Sequence, residues 1–313
     1  MGCKFDLRDK KVWVPGANGM VGSAIVRRLS CERVKVYSTT RNEADLTDLS
    51  QVKAFYTKIK PDVVVLAAAK VGGIHANKTY PVDFIAENLK IQQNVIIEAH
   101  QASVKKLLFL GSSCIYPRDC PQPIKEDYLL TGALEPTNEP YAIAKIAGIK
   151  LCQAYQTQYG CDFISAMPTN LYGPNDNFHP ENSHVPAALL QRFHEAKNNR
   201  EKNVVVWGSG KPCREFLHVD DLANACVFLL KNYSGLQHIN VGTGSDISIA
   251  DFANLMKRTT GFEGEIVFDT NRPDGTPRKL LDVSKIRDMG WESEIALEAG
   301  LKQYYQWYLE GQG

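Results

Sequence analysis

Tyr141 and Lys145 stand four residues apart in Tyr141-Ala-Ile-Ala-Lys145, within an apolar run of Ile143, Ala144, Ile146 and Ala147. Positions four apart share a helix face, so the spacing predicts a phenol beside an ammonium. A free phenol ionises near pH ~10, and a fixed cation lowers that value. Such a phenol can hand a proton to an oxygen near neutral pH. The pair is common on helices, and its weight here comes from its company. A glycine turn precedes it, and a strand ending Gly111-Ser112-Ser113-Cys114 lies between the two. Ligands of open parallel sheets bind beyond the carboxyl ends of strands, where these hydroxyls and this thiol would stand. Cys114 as a buried packing residue is an equal alternative. Further along, His179 and His184 lie in a polar loop, and Arg214 opens Arg214-Glu-Phe-Leu-His218-Val-Asp220-Asp221. A fixed cation such as Arg214 suits a diphosphate. His218 reads as structural, and Asp220 as the cap of the helix that follows.

These groups need elements to hold them. Residues 11–14 read as a short buried strand running into Gly16-Ala-Asn18-Gly19-Met20-Val21-Gly22, and Ile25, Val26 and Leu29 follow at helical spacing. Strand, G-x-x-G-x-x-G, helix is a dinucleotide-binding pattern. The first glycine makes the turn, the second admits phosphate to the backbone, and the third lets helix and strand pack. The helix N-terminus then offers free N–H groups to a pyrophosphate. Residues 34–37 read as the second strand, with Ser38-Thr39-Thr40-Arg41 at its tip. An acidic residue there would grip a ribose 2′-hydroxyl, whereas Arg41 favours a 2′-phosphate and so NADP(H).

The apolar run at 62–69 reads as a central strand covered on both faces, followed by the loop Lys70-Val-Gly-Gly-Ile-His75. Residues 81–102 read as a long helix, 106–110 as a strand, 117–140 as a loop over the site, and 161–167 as another strand. That strand leads into Pro168-Thr169-Asn170-Leu171. The pattern changes at 174, where a second domain is expected. Helices follow at 185–196 (with Arg192), 248–260 (closed by Gly261) and 296–309. Strands follow at 203–207 (ending in Trp207), 238–241 and 266–269, and Asp274 lies in a loop beyond the last.

The 313 residues are 44% hydrophobic with a net charge of +1. This suffices for a sizeable core and carries no basic face for nucleic acid. No apolar run approaches the ~18 residues of a membrane helix. Met1-Gly2 does not open a myristoylation pattern, because position 6 is Asp. Eight scattered cysteines without a Cys-x-x-Cys pair suggest no metal site and a reducing cytoplasm.

The set Gly16-x-x-Gly19-x-x-Gly22, Ser112, Tyr141-x-x-x-Lys145, Arg214-x-Phe-x-His-Val-Asp-Asp and Gly290-Trp291 resembles the extended short-chain dehydrogenases that act on nucleotide sugars. More narrowly, Ala-Ala-Ala-Lys70-Val-Gly-Gly, Gly-Ser-Ser-Cys114-Ile-Tyr-Pro, Pro168-Thr-Asn-Leu, Asp176-Asn-Phe-His and Asn182-Ser-His184-Val resemble the GDP-L-fucose synthases. Those enzymes are NADPH-dependent 3,5-epimerase-4-reductases of GDP-4-keto-6-deoxy-D-mannose. The resemblance implies an α/β fold, a Rossmann-type doubly wound parallel sheet with a smaller α+β substrate-binding domain. Its NADP domain would take 1–173 plus about 214–245, and its nucleotide-sugar domain about 174–213 plus 246–313. It implies that Ser112 and Tyr141 bind the 4-keto oxygen, that Lys145 holds the nicotinamide ribose and depresses the phenol's pKa, and that Cys114 and His184 are the base and acid of epimerisation. NADP(H) would lie along the glycine turn, with Gly16, Asn18, Gly19, Met20, Val21 and Gly22. Arg41, the strand ends at Ala68, Leu110 and Gly111, the Pro168–Leu171 stretch, Lys145 and His184 would also line it. Arg192, Trp207, Arg214 and Asp274 would take the GDP-sugar, with Trp207 stacking on guanine. Asn18 replaces an arginine of the bacterial members, so Arg41 would carry more of the 2′-phosphate contact and NADP preference would weaken. A homodimer through the helices at 81–102 and 142–158 is the family expectation. Another nucleotide-sugar 4-epimerase or dehydratase is the alternative, but a dehydratase sets Asp-Glu where Ser113-Cys114 stands here.

Overall fold

The computed structural model describes residues 5–179, 183–272 and 274–311. Met1, Gly2 and Asn182 of the stretches named above lie outside it, as does the His75 side chain. The first half alternates strand and helix: β1 (Lys11–Pro15), α1 (Met20–Leu29), β2 (Lys35–Thr39), α2 (Leu49–Ile59), β3 (Val63–Leu66), α3 (Ile74–Thr79), α4 (Pro81–Gln101), β4 (Lys106–Leu110), α5 (Glu139–Tyr159) and β5 (Asp162–Pro168). The second half is less regular: β6 (Asn170–Tyr172), α6 (Val185–Asn198), β7 (Asn203–Trp207), β8 (Cys213–Arg214), β9 (Phe216–His218), α7 (Val219–Asn232), β10 (Ile239–Val241), β11 (Ile247–Ser248), α8 (Ile249–Thr260), β12 (Glu265–Asp269), β13 (Arg278–Lys279), α9 (Ser284–Asp288) and α10 (Leu297–Glu310).

Six strands form a parallel sheet in the order β10-β5-β4-β3-β1-β2. β3 and β4 are buried at every position, as aliphatic runs covered on both faces must be. Helices α1 and α7 pack together on one face, and α4 and α5 on the other. The strand order reverses between β1 and β3, which opens a crevice at their carboxyl ends.

A second layer joins α6, α8 and α10 to the parallel pair β7–β12. Its core of Tyr172, Leu190, Phe193, Phe216, Phe252 and Tyr304 is separate from the core under the large sheet. Leu281, Val283, Ile286 and Trp291 pack into the large-sheet core, although 246–313 was assigned to the smaller domain. The chain therefore crosses back after β13.

Other departures have local causes. The helix α2 was not anticipated. Asp48 caps it, its carboxylate accepting from Ser50 N at 2.8 Å and Gln51 N at 3.4 Å. The expected loop at 70–75 ends in α3, because Gly73 serves as a helix N-cap. Asp220 does not cap α7. The cap is His218, whose Nδ1 accepts from Asp220 N at 3.2 Å, and Asp220 pairs with Arg27 at 2.6 Å. Among the described residues, no helix is long and apolar enough to cross a membrane, and no cluster of His, Cys, Asp or Glu is placed to hold a metal.

Candidate active site

The crevice is built first by glycines. Gly16 has φ +89°, and a Cβ there would stand 2.6 Å from Ala68 N at the end of β3. A Cβ on Gly22 would stand 2.0 Å from Gly16 O. These two positions are fixed by backbone packing. Gly19 differs: its Cβ would meet only Gly16 O, at 3.6 Å. It caps α1 without a side-chain hydrogen bond, so nothing inside the protein demands its smallness. The space it leaves lies outside, at the helix's electropositive end, where a pyrophosphate fits. Asn18 and Gly19 are exposed there, and Met20 and Val21 half-buried.

At the tip of β2, two hydroxyls are used internally. Thr39 Oγ1 accepts from Trp13 Nε1 at 3.2 Å. Thr40 donates from N and Oγ1 to Glu43 Oε2, at 2.8 and 3.0 Å. Arg41 is left 76% exposed with Asp45 at 3.7 Å, a cation available to a phosphate. The loop beyond β3 is pinned by buried Asn88, which accepts from Lys70 N at 2.9 Å and donates to Lys70 O at 3.0 Å. An asparagine inside a helix gives no local sign of that role.

The reactive cluster forms where α5 meets the end of β4. Lys145 is 4% exposed, and its Nζ donates to Leu110 O at 2.8 Å. Its ammonium lies 4.9 Å from the Phe109 ring centroid and 5.8 Å from that of Tyr141. Phe84 holds the Tyr141 ring edge-on at 6.1 Å. The Ser112 hydroxyl lies beside both the Tyr141 phenol and the Cys114 thiol, near enough to favour the ionised form of each. Ser112, Cys114, Tyr141 and Lys145 are thus one cluster.

Its electrostatics differ from expectation. Burial raises the Tyr141 phenol above its ordinary range, the Cys114 charge adds to this, and the Ser112 hydroxyl opposes it. The depressed phenol expected beside Lys145 is therefore not found. The desolvated ammonium is itself lowered to about 8. Burial also raises the Cys114 thiol, against the pull of Lys279, Ser112 and Lys145. His184 stands as the N-cap of α6. It has an accessible edge, but the protein around it desolvates the ring and lowers its pKa. Thiol and imidazole are thus both neutral at pH 7.

The Pro168–Leu171 stretch ends β5 and begins β6. Thr169 is buried, its hydroxyl donating to Glu215 O at 3.3 Å, and Asn170 Nδ2 donates to the same oxygen at 2.9 Å. Glu215 itself is fully buried. Its carboxylate accepts from Gly244 N at 2.7 Å and Leu281 N at 3.0 Å, tying the strand of Arg214 to the large-sheet core. The motif drew attention to Arg214, but this neighbour organises the wall.

Across the crevice, Arg214 and Lys279 are register partners on β8 and β13. Like charges side by side are unfavourable unless an anion joins them. Lys279 carried no sequence signal, yet it interacts electrostatically with both Cys114 and Arg214. Arg192 reaches Val205 O at 3.2 Å and lies 5.0 Å from the Trp207 ring centroid. Asp274 takes a structural position, accepting from Ser209 N at 2.6 Å and Ser209 Oγ at 2.7 Å. Both carboxylate oxygens are engaged there, so a direct contact with a sugar would have to share them.

Residues 12–242 match the model of the NAD dependent epimerase/dehydratase family. The chain is 62% identical over 304 residues to the putative GDP-L-fucose synthase 2 of Arabidopsis thaliana, covering 97% of this chain and 93% of that one. It is 56% identical over 316 residues to the GDP-L-fucose synthase of Escherichia coli, covering 98% of each. A solved GDP-L-fucose synthetase from Naegleria fowleri bound to NADP has a TM-score of 0.91 and 29% identity, covering 100% of this chain and 98% of that one.

Proposed function

The chain belongs to the NAD dependent epimerase/dehydratase family, among the GDP-L-fucose synthases, and we propose that its crevice converts GDP-4-keto-6-deoxy-D-mannose to GDP-L-fucose by inversion at C3 and C5 and reduction at C4. It is an NADP-dependent epimerase and reductase. The observation that carries the fuller reading is the single cluster of Ser112, Cys114, Tyr141 and Lys145 at the end of β4.

A proton next to a ketone becomes removable when donors stabilise the enolate oxygen, commonly by a few kcal/mol each. Ser112 and Tyr141 are the donors. C3 and C5 both flank C4, so one oxygen site serves both inversions. Cys114 and His184 would exchange protons with the two faces of the sugar. NADPH, when bound along the Gly16–Gly22 turn, supplies the hydride for C4. Tyr141 then gives its proton to the oxygen at C4. With its pKa raised by burial, the phenol keeps its proton at neutral pH and gives it up only as the more basic alkoxide forms. Lys145, anchored on Leu110 O, positions the ribose. Arg214 and Lys279 would hold the diphosphate, and Trp207 with Arg192 the base. A second copy would pack on α4 and α5, where Ile143 is 42% exposed. A cytosolic location fits the scattered cysteines.

The test mixes the protein with NADPH and GDP-4-keto-6-deoxy-D-mannose, following NADPH absorbance and the product by chromatography. NADPH oxidation with GDP-L-fucose formation is expected, and an unchanged absorbance would refute the reductase. Tyr141→Phe should lose turnover by ~10²–10⁴-fold while binding NADPH as the wild type does. Retained turnover would remove the phenol from the proton-donor role.

A further inference from the structure

Trp207, at the end of β7, is 55% exposed, yet two guanidinium groups lie over its ring. Arg192 Cζ is 5.0 Å from the ring centroid and Arg272 Cζ is 4.9 Å from it. The two are held differently. Arg192 projects from α6, is half-buried, and donates to Val205 O at 3.2 Å, so the scaffold fixes it. Arg272 is 58% exposed and pairs with Asp269 at 3.8 Å. Asp269 is the register partner of Trp207 in the β12–β7 pair. A turn closed by Arg272 N donating to Asp269 O at 3.2 Å brings the guanidinium back over the indole. Asp274 then fastens the loop to Ser209, two residues beyond Trp207.

A flat base stacks on an indole only where a ring face is clear. We infer that Arg272 is a stand-in for the nucleotide base on Trp207, so that the base binds by displacing this guanidinium while Arg192 stays in place. The inference rests on the reading of Trp207 as the base-stacking residue. Arg272 thereby weakens nucleotide binding by the strength of its own contact. An exposed cation–π contact is worth about two- to fivefold in an equilibrium constant. Asp269 holds the displaced arginine near, so the indole is covered again when the nucleotide leaves.

Calorimetric titration of GDP and of inorganic pyrophosphate into the wild type and Arg272→Gln tests this. Pyrophosphate has no base, so it reports the loss of a positive charge alone. The expected result is that GDP tightens about two- to fivefold relative to pyrophosphate. A ratio that is unchanged, or that moves against GDP, overturns the proposal, the second case making Arg272 a ligand of the nucleotide. Trp207→Ala separates the premise from the inference. If it leaves GDP binding unchanged, the stacking role of Trp207 fails. If it weakens GDP but Arg272→Gln leaves the ratio unmoved, the stack stands and Arg272 is a bystander. In the Trp207→Ala background, Arg272→Gln should no longer shift the ratio.

Discussion

At the scale of single residues, the pKa directions constrain the chemistry more than the identities do. A thiol near ~8.5 and an imidazole near ~6.5 would bracket neutral pH, which suits a base and an acid. Burial moves Cys114 up and His184 down, so at pH 7 the thiol keeps its proton and the imidazole has none. A thiolate base must then be drawn from a small population, stabilised by Lys279, Ser112 and Lys145. The sign follows directly. If removal of the C3 and C5 protons by the thiolate limits the rate, solvent-deuterium incorporation should climb about tenfold per pH unit above neutrality and level off near pH 8, where Lys145 loses the charge that stabilises the thiolate. Cys114→Ser should abolish that limb and slow incorporation, while harming far less the reduction of an already inverted ketone. Mass spectrometry of the sugar after timed incubation in D₂O reads both. A rate that falls with pH would give the base role to another group. The grouping of Ser112, Tyr141 and Lys145 was legible because helical spacing and a strand end place them together. The placement of Lys279 beside Cys114 and Arg214, and of Arg272 over Trp207, was not, because those neighbours are far away in sequence.

At the scale of elements, legibility followed apolar pattern. β1, β3 and β4 are short apolar runs, and α4 and α10 are periodic, so their places were clear within a few residues. The two-residue strands β8, β11 and β13 exist only through pairing, and no local period announces them. Glu215 sat in a recognised motif, but its role depends on Gly244 and Leu281. The glycine turn was legible as a motif, and the structure divides its members by cause. Gly22→Ala drives a Cβ to within 2.0 Å of a backbone oxygen that cannot swing aside, and overpacking of this kind costs about 1–3 kcal/mol or more. Its melting temperature should fall. Gly19→Ala meets nothing nearer than 3.6 Å, so its melting temperature should stay near wild type. It should instead weaken NADPH binding by on the order of tenfold, because the methyl group fills the space where the pyrophosphate approaches the backbone. Thermal melts beside NADPH titrations separate the two. Equal melting losses would show that Gly19 is also a packing glycine.

At the scale of the whole molecule, the two cores are joined by a segment whose own charge opposes the join. Residues 174–179 leave the large sheet and lie against α10. Asn175 Nδ2 donates to Ser23 Oγ of α1 at 3.0 Å, and Phe178 packs on Tyr304 at 5.8 Å and Tyr308 at 4.8 Å between ring centroids. Within this clamp the Asp176 carboxylate accepts from Tyr304 Oη at 3.0 Å and Asn177 N at 2.7 Å. Those bonds favour the charged form less than burial disfavours it, so the pKa rises to about 6 from the ordinary value of ~3.9. Between these two values the folded protein holds a proton that the unfolded chain has lost, and stability falls as pH rises from about 4 to about 6. Above pH 6 the cost is complete. Asp176→Asn keeps an oxygen acceptor for Tyr304 and removes the charge. With allowance for solvent screening of a half-buried group, it should stabilise the protein by about 1–2 kcal/mol at pH 7.5, and the gain should vanish below pH ~4, where both proteins carry a neutral side chain. Denaturant unfolding at the two pH values measures this. Destabilisation by asparagine at pH 7.5 would mean that the ionised carboxylate is itself holding the clamp, with a cation or backbone dipole opposing the desolvation.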